Sequence, residues 1–103
     1  MKLDHIALNV NNISKSVRWY EKNLLASTLY CDKTWALLQV KDTKIALTIS
    51  SQHPPHTAFR VNSIDDFPSG CIPAQHRDGS WYYYQRDLDG NVIEWIFYPQ
   101  ENE

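Results

Sequence analysis

His5-Ile6-Ala7-Leu8-Asn9-Val10-Asn11-Asn12-Ile13 and His56-Thr57-Ala58-Phe59-Arg60-Val61-Asn62-Ser63-Ile64 are two versions of one stretch. His, Ala, Val, Asn and Ile recur in register, at positions 5 and 56, 51 apart. In a chain of 103 residues this spacing implies a duplicated structural unit, with one histidine at the same place in each half.

Outward from the first copy, residues 3–10 alternate in the period of a strand. Asn11-Asn12 then offers a helix N-cap. Ile13, Val17, Tyr20 and Leu24 follow at spacings of a single helical stripe, while Lys15, Arg18, Glu21 and Lys22 fall elsewhere on the wheel. Three strand-like runs come next, at 26–31, 35–40 and 44–49, with Asp32-Lys33 and Lys41-Asp42 as turns. The order is β-α-β-β-β. Residues 51–55 are a polar, proline-ended linker. The second half repeats the order with strands at 56–61, 71–75, 81–86 and 92–98. Its helix shrinks to about a turn at 63–67, because Pro68 and Gly70 stop it. Arg77-Asp78-Gly79 and Leu88-Asp89-Gly90-Asn91 are turn signals. The offset between halves is 51 at His5/His56, 46 at Trp35/Trp81 and 48 at Ile45/Ile93, the drift expected of a duplicate changing through its loops and surface helix. The predicted fold is α+β: two tandem β-α-β-β-β modules forming a curved mixed sheet around a central cavity. The expected organisation is one domain, with module 1 at 1–50, the linker at 51–55, module 2 at 56–98 and a tail at 99–103.

Composition narrows the function. The formal net charge is −2 and the basic residues are scattered, so there is no stripe for a phosphate backbone. No apolar run is long enough to span a bilayer. The N-terminus enters a strand pattern at once and does not read as a signal peptide. Cys31 and Cys71 lack metal-type spacing and read as reduced thiols of a cytoplasmic protein.

Strand alternation then sorts the faces. Ile6, Leu8, Val10 and Thr57, Phe59, Val61 belong on the helix side. His5, Ala7, Asn9 and His56, Ala58, Arg60 belong on the other. In the last strands, Lys44, Ala46, Thr48 and Val92, Glu94, Ile96 share the histidine face. Glu94 is a lone carboxylate in an apolar run, costly unless paired or bound to a cation. His5, His56 and Glu94 can therefore converge as two imidazoles and a carboxylate, the donors of a facial-triad site that suits Fe(II), and also Zn, Mn, Ni or Co. The competing reading pairs Glu94 with Arg60 or Lys44. Arg60 could hold an anionic substrate group. Either Trp81 and Tyr83 or Tyr82 and Tyr84 face the histidines. The first pair joins Arg60, Asn9 and Thr48 in the expected substrate-binding set. His76 reads as a hairpin-edge histidine and His53 as a solvated loop residue.

These residues resemble the vicinal oxygen chelate superfamily, which holds glyoxalase I, bleomycin-resistance proteins, fosfomycin-resistance enzymes and extradiol dioxygenases. The resemblance covers essentially the whole chain. It rests on Leu3-Asp4-His5-Ile6-Ala7-Leu8, Trp19-Tyr20-Glu21, His56-Thr57-Ala58-Phe59 and, most specifically, Arg86-Asp87-Leu88-Asp89-Gly90-Asn91-Val92-Ile93-Glu94. The last is similar to the superfamily's Asp-Pro-Asp-Gly-Asn…Glu pattern, with Leu88 in place of Pro. By resemblance, His5, His56 and Glu94 fall on three metal positions and Ala46 on the fourth. That fourth position is Glu or Gln in glyoxalase-like members, so the resemblance implies loss of glyoxalase I activity. It also implies a homodimer, because the reduced second helix would uncover Phe59, Val61, Trp95 and Phe97.

The expected function is a divalent-metal-dependent enzyme, with Glu94 catalytic, acting on a small substrate chelated through vicinal oxygens. It would be of lyase, isomerase, transferase or dioxygenase type. The alternative is a metal-free small-molecule binding or sequestration protein of the bleomycin-resistance type. Nucleic acid and membrane are not expected partners.

Overall fold

The computed structural model describes residues 1–51 and 53–99. Gln52 of the linker, and the tail beyond residue 99, lie outside the described residues. Among the described residues, eight strands, one helix and one 3-10 turn follow in the expected order. They are β1 (Lys2–Asn9), α1 (Ile13–Leu24), β2 (Ser27–Cys31), β3 (Trp35–Val40) and β4 (Thr43–Thr48). After the linker come β5 (His56–Arg60), the 3-10 turn Ile64–Asp66, β6 (Ala74–Gln75), β7 (Trp81–Arg86) and β8 (Val92–Phe97). The fold is α+β, with one mixed eight-stranded sheet in the order β2-β3-β4-β1-β5-β8-β7-β6. Its chain contacts cluster into two compact units, His5–His56 and a second made of Met1–Asp4 with the chain from Thr57 on.

In the first unit, α1 begins where the sequence signals it. The Asn12 side chain accepts from the Lys15 amide at 3.0 Å and from Ser14 Oγ at 3.1 Å. Ile13 and Val17 are buried, and with Ala26, Ala36, Leu38 and Leu47 they form the core cluster. Tyr20 packs against that cluster from its edge. Leu24, the last residue of the expected stripe, is exposed instead. The helix ends there because Leu25 takes a left-handed conformation (φ 54°, ψ 37°) and its amide turns back to the Tyr20 carbonyl. β1 pairs parallel with β4, and β4 antiparallel with β3. Asp32 sets the β2–β3 turn: its Oδ1 accepts from the Thr34 and Trp35 amides at 2.7 and 2.9 Å. These bonds and one from the Tyr30 hydroxyl hold its carboxyl below the usual carboxylate range.

In the second unit, β8 pairs parallel with β5 and antiparallel with β7. The expected strand at 71–75 keeps only Ala74–Gln75, since Pro73 cannot donate to a ladder. Asp87 organises the last hairpin, with Oδ1 accepting from the Asp89 and Asn91 amides at 2.9 and 2.8 Å. Its carboxyl is lowered, chiefly by bonding to Asn91. The face expected to be bare is partly covered. Val61 and Phe67 are buried, whereas Phe59, Trp95 and Phe97 are half-buried.

Two consequences can be measured. Leu25 is 85% exposed, so Leu25→Gly loses little packing and relieves a left-handed conformation that costs a non-glycine residue about 1 kcal/mol. Thermal unfolding will show a midpoint raised by several degrees, whereas Asn12→Ala will lower it by a similar amount. Asp32 and Asp87 both have depressed carboxyl groups, so their stabilisation is present above about pH 3.8, their ordinary value, and is lost as pH falls below it. Urea unfolding between pH 6 and 2 will show that loss, and the loss will be smaller in Asp32→Asn.

Candidate functional site

His5 lies in the middle of β1 and His56 opens β5. Their rings meet edge to face, with centroids 5.5 Å apart and planes at 74°. His56 is 8% exposed. Its Nδ1 sits 2.8 Å from the Pro54 carbonyl oxygen. A carbonyl only accepts, so Nδ1 carries a proton and donates it. That arrangement of a backbone acceptor behind the ring is the usual support of a metal-binding histidine.

Register defines the rest of this face in the first unit. Ala7 faces Ala46, and Asn9 faces Thr48, whose hydroxyl donates to Asn9 Oδ1 at 2.9 Å. Trp35 stands opposite Thr48 and Leu37 opposite Ala46. The Tyr30 ring stacks on Trp35, with centroids 4.7 Å apart and planes at 28°. Trp35 Nε1 is buried without a hydrogen-bond partner among the described residues.

Glu94 lies in β8, opposite Ala58 on one side and Tyr84 on the other. It is 1% exposed. His76 Nε2 donates to its Oε2 at 2.8 Å. A three-residue loop aims that histidine. The His76 amide donates to the Ser80 carbonyl at 2.8 Å, and Gly79 takes φ 91°, which a side chain would oppose. Asp78 Oδ1 accepts from the Ser80 amide and hydroxyl at 2.8 and 2.6 Å, fixing the loop. The His76 ring lies flat on Tyr82, with centroids 3.8 Å apart and planes at 12°. Tyr82 in turn leans on Tyr84 at 5.2 Å. Burial, and then the charge of Glu94, push the Tyr84 phenol well above its ordinary range, so it keeps its proton. Arg60, one rung from Ala58 on the same face, places its guanidinium 5.1 Å over the Tyr98 ring. The Tyr98 hydroxyl donates to Asp4 Oδ2 at 2.9 Å.

Two expectations change. The pair on the Glu94 face is Tyr82 and Tyr84, because they stand opposite Ile96 and Glu94, so Trp81 and Tyr83 occupy the other face. The match of Trp35 with Trp81 misled by one residue. Trp35 faces Thr48 as Tyr82 faces Ile96, so Tyr82 is its structural counterpart. His76, read from the sequence as a hairpin-edge histidine, bonds Glu94 at 2.8 Å. His76 was legible only through the hairpin: a loop closed by His76 and Ser80 puts 76, 80, 82 and 84 on one face. Ala46, by contrast, is confirmed as the first-half counterpart of Glu94, since Ala7 faces Ala46 as Ala58 faces Glu94.

Among the described residues, one group of donors reaches ligating range. One ligand atom each from His5, His56 and Glu94 lie within 4.8 Å of one another. Two nitrogens and a carboxylate oxygen suit a divalent first-row ion. A nearly inaccessible carboxylate gains from a cation.

No family model and no curated protein matches the sequence. Solved structures do match the fold. A hypothetical protein from Bacillus halodurans is 20% identical, with TM-score 0.76 over 94% of each chain. Methylmalonyl-CoA epimerase from Mycobacterium tuberculosis is 18% identical, with TM-score 0.76 over 97% of this chain and 90% of that one. A Streptomyces coelicolor methylmalonyl-CoA epimerase in complex with 2-nitronate-propionyl-CoA is 14% identical, with TM-score 0.74 over 96% and 98%. The chain thus shares the fold of these epimerases.

Proposed function

We propose that the chain is a divalent-metal-dependent enzyme that acts on a small substrate through two neighbouring oxygens of that substrate. The observation that carries the proposal is the donor group itself, His5, His56 and Glu94 within 4.8 Å, with the His56 tautomer already set by Pro54. His56 Nε2, a His5 nitrogen and a Glu94 oxygen would hold the ion. When bound, such an ion supplies Lewis-acid polarisation of the chelated oxygens. The chain's own part is to place donors around them. The Tyr84 phenol, which keeps its proton, can donate to a developing oxyanion. Arg60 can hold an anionic group, and Asn9 and Thr48 can bind polar parts of the substrate. Methylmalonyl-CoA epimerases with this fold are solved with acyl-CoA ligands, so carbonyl compounds with an acidic neighbouring carbon are the first substrates to try. Ala46 offers no second carboxylate opposite Glu94, so glyoxalase I chemistry is not part of the proposal. A lyase, isomerase, transferase or dioxygenase role stays within it.

A second reading, metal-free sequestration of a flat aromatic molecule, draws on the Tyr30–Trp35 stack and the unpartnered Trp35 N–H. We also propose a homodimer, built on the half-buried Phe59, Trp95 and Phe97, and a cytoplasmic location consistent with two free cysteines. No helix among the described residues is long and apolar enough to cross a membrane.

Metal analysis decides between the two readings. Purified protein offered Fe, Zn, Mn, Ni and Co will hold about one ion per chain, and His56→Ala and Glu94→Ala will lose it. Protein that stays metal-free yet binds aromatic ligands would establish sequestration instead. Light scattering at micromolar concentration will give twice the chain mass; a monomer refutes the dimer. Tyr84 and Tyr98 are both raised above their ordinary 10.0, so alkaline absorbance titration will show late-ionising phenols, one fewer in Tyr84→Phe. Above pH 10.0 the unfolded chain loses these protons first, so stability falls as pH rises, and falls less steeply in Tyr84→Phe.

A further inference from the structure

The repeat carries a ring-on-ring stack in each half, and the two differ in one telling way. In the first, Tyr30 lies on Trp35 and its hydroxyl turns away to Asp32 Oδ2 at 2.6 Å. The counterpart of Glu94 there is Ala46, and nothing on that rung needs a hydrogen-bond donor. In the second, the stack is His76 on Tyr82, and the imidazole Nε2 reaches Glu94 Oε2 at 2.8 Å. The half with the carboxylate carries a donor in its stack, aimed at that carboxylate.

We infer that His76 is a positioning residue that decides which oxygen of Glu94 a bound ion meets. The inference rests on the metal reading above. His76 Nε2–H occupies Oε2, so an ion is directed to Oε1 and the carboxylate binds through one oxygen. Rotation of the Glu94 carboxyl would break the bond to His76. Rotation of His76 is opposed by its flat contact with Tyr82 and by a loop tied through Ser80 and Asp78. The imidazole is 25% exposed while the carboxylate is 2% exposed. Solvent therefore reaches the positioning group more readily than the ligand it positions. One-oxygen binding by Glu94 leaves more of the ion's coordination sphere for a chelating substrate than two-oxygen binding would.

The test uses the full chain loaded with Mn2+ for affinity and with Co2+ for its visible spectrum, in wild type, His76→Phe and His76→Gln. Phenylalanine keeps the stack on Tyr82 and removes the donor; glutamine restores an N–H donor. We expect His76→Phe to bind Mn2+ about 10- to 100-fold more weakly, the usual cost of losing an outer hydrogen bond to a metal ligand. Its melting temperature should stay near that of wild type, and its Co2+ spectrum should change in intensity as the carboxylate turns. His76→Gln should recover most of the affinity and the wild-type spectrum. Unchanged affinity and spectrum in His76→Phe would overturn the inference while leaving the metal site intact. Equal weakening in both variants together with lowered melting temperatures would also overturn it, since that is a packing effect. Wild-type protein that binds neither ion would overturn the metal reading itself, before any variant is compared.

Discussion

A carboxylate that is 1% exposed, set in the middle of an apolar strand, is the constraint on which the second half depends. Charge in such a place is stable only if other groups compensate it. Tyr84 stands across the rung from Glu94, Ala58 leaves room on the other side, and His76 bonds its Oε2. The three-residue hairpin loop, with Gly79 at positive φ and Asp78 bracing Ser80, serves to put that imidazole in place. An apolar strand thus carries a buried carboxylate bonded to an imidazole.

The duplication was legible because strand and turn signals are local. Alternation at 3–10, the Asn12 cap and the stripe through Ile13, Val17 and Tyr20 placed β1 and α1 to within a residue or two. The Asp-Gly turns at 78–79 and 89–90 placed β7 and β8. Metal-type donors were legible for the same reason: His5 and His56 share a repeat position, and Glu94 is out of character with its neighbours. What escaped was register. The two tryptophans at 35 and 81 look equivalent in sequence, yet a one-residue slip puts them on opposite faces. Leu24 escaped too, because helical periodicity does not announce that Leu25 will turn left-handed. His76 escaped because its partner is 18 positions away and the loop between them sets the angle.

The halves have diverged in complementary ways. The first keeps a full helix over a compact apolar cluster and has an alanine at the carboxylate position. The second has a 3-10 turn in place of the helix and keeps the carboxylate with its histidine. The full helix has been retained in the half without the carboxylate. In the half that carries Glu94, Phe59, Trp95 and Phe97 stay half-buried. The fold is shared with epimerases at identities of 14–18%, a level at which architecture persists while individual site residues are free to change. Ala46 and His76 are the positions where this chain's own chemistry would be decided.

The most direct measurement is an anomalous-scattering map from crystals of the protein grown with Co2+ or Zn2+. The account predicts one strong peak at about 2.0–2.2 Å from His56 Nε2, a His5 nitrogen and one Glu94 oxygen, with the other Glu94 oxygen still bonded to His76. A map with no peak among these three side chains, in protein exposed to excess ion, would contradict it.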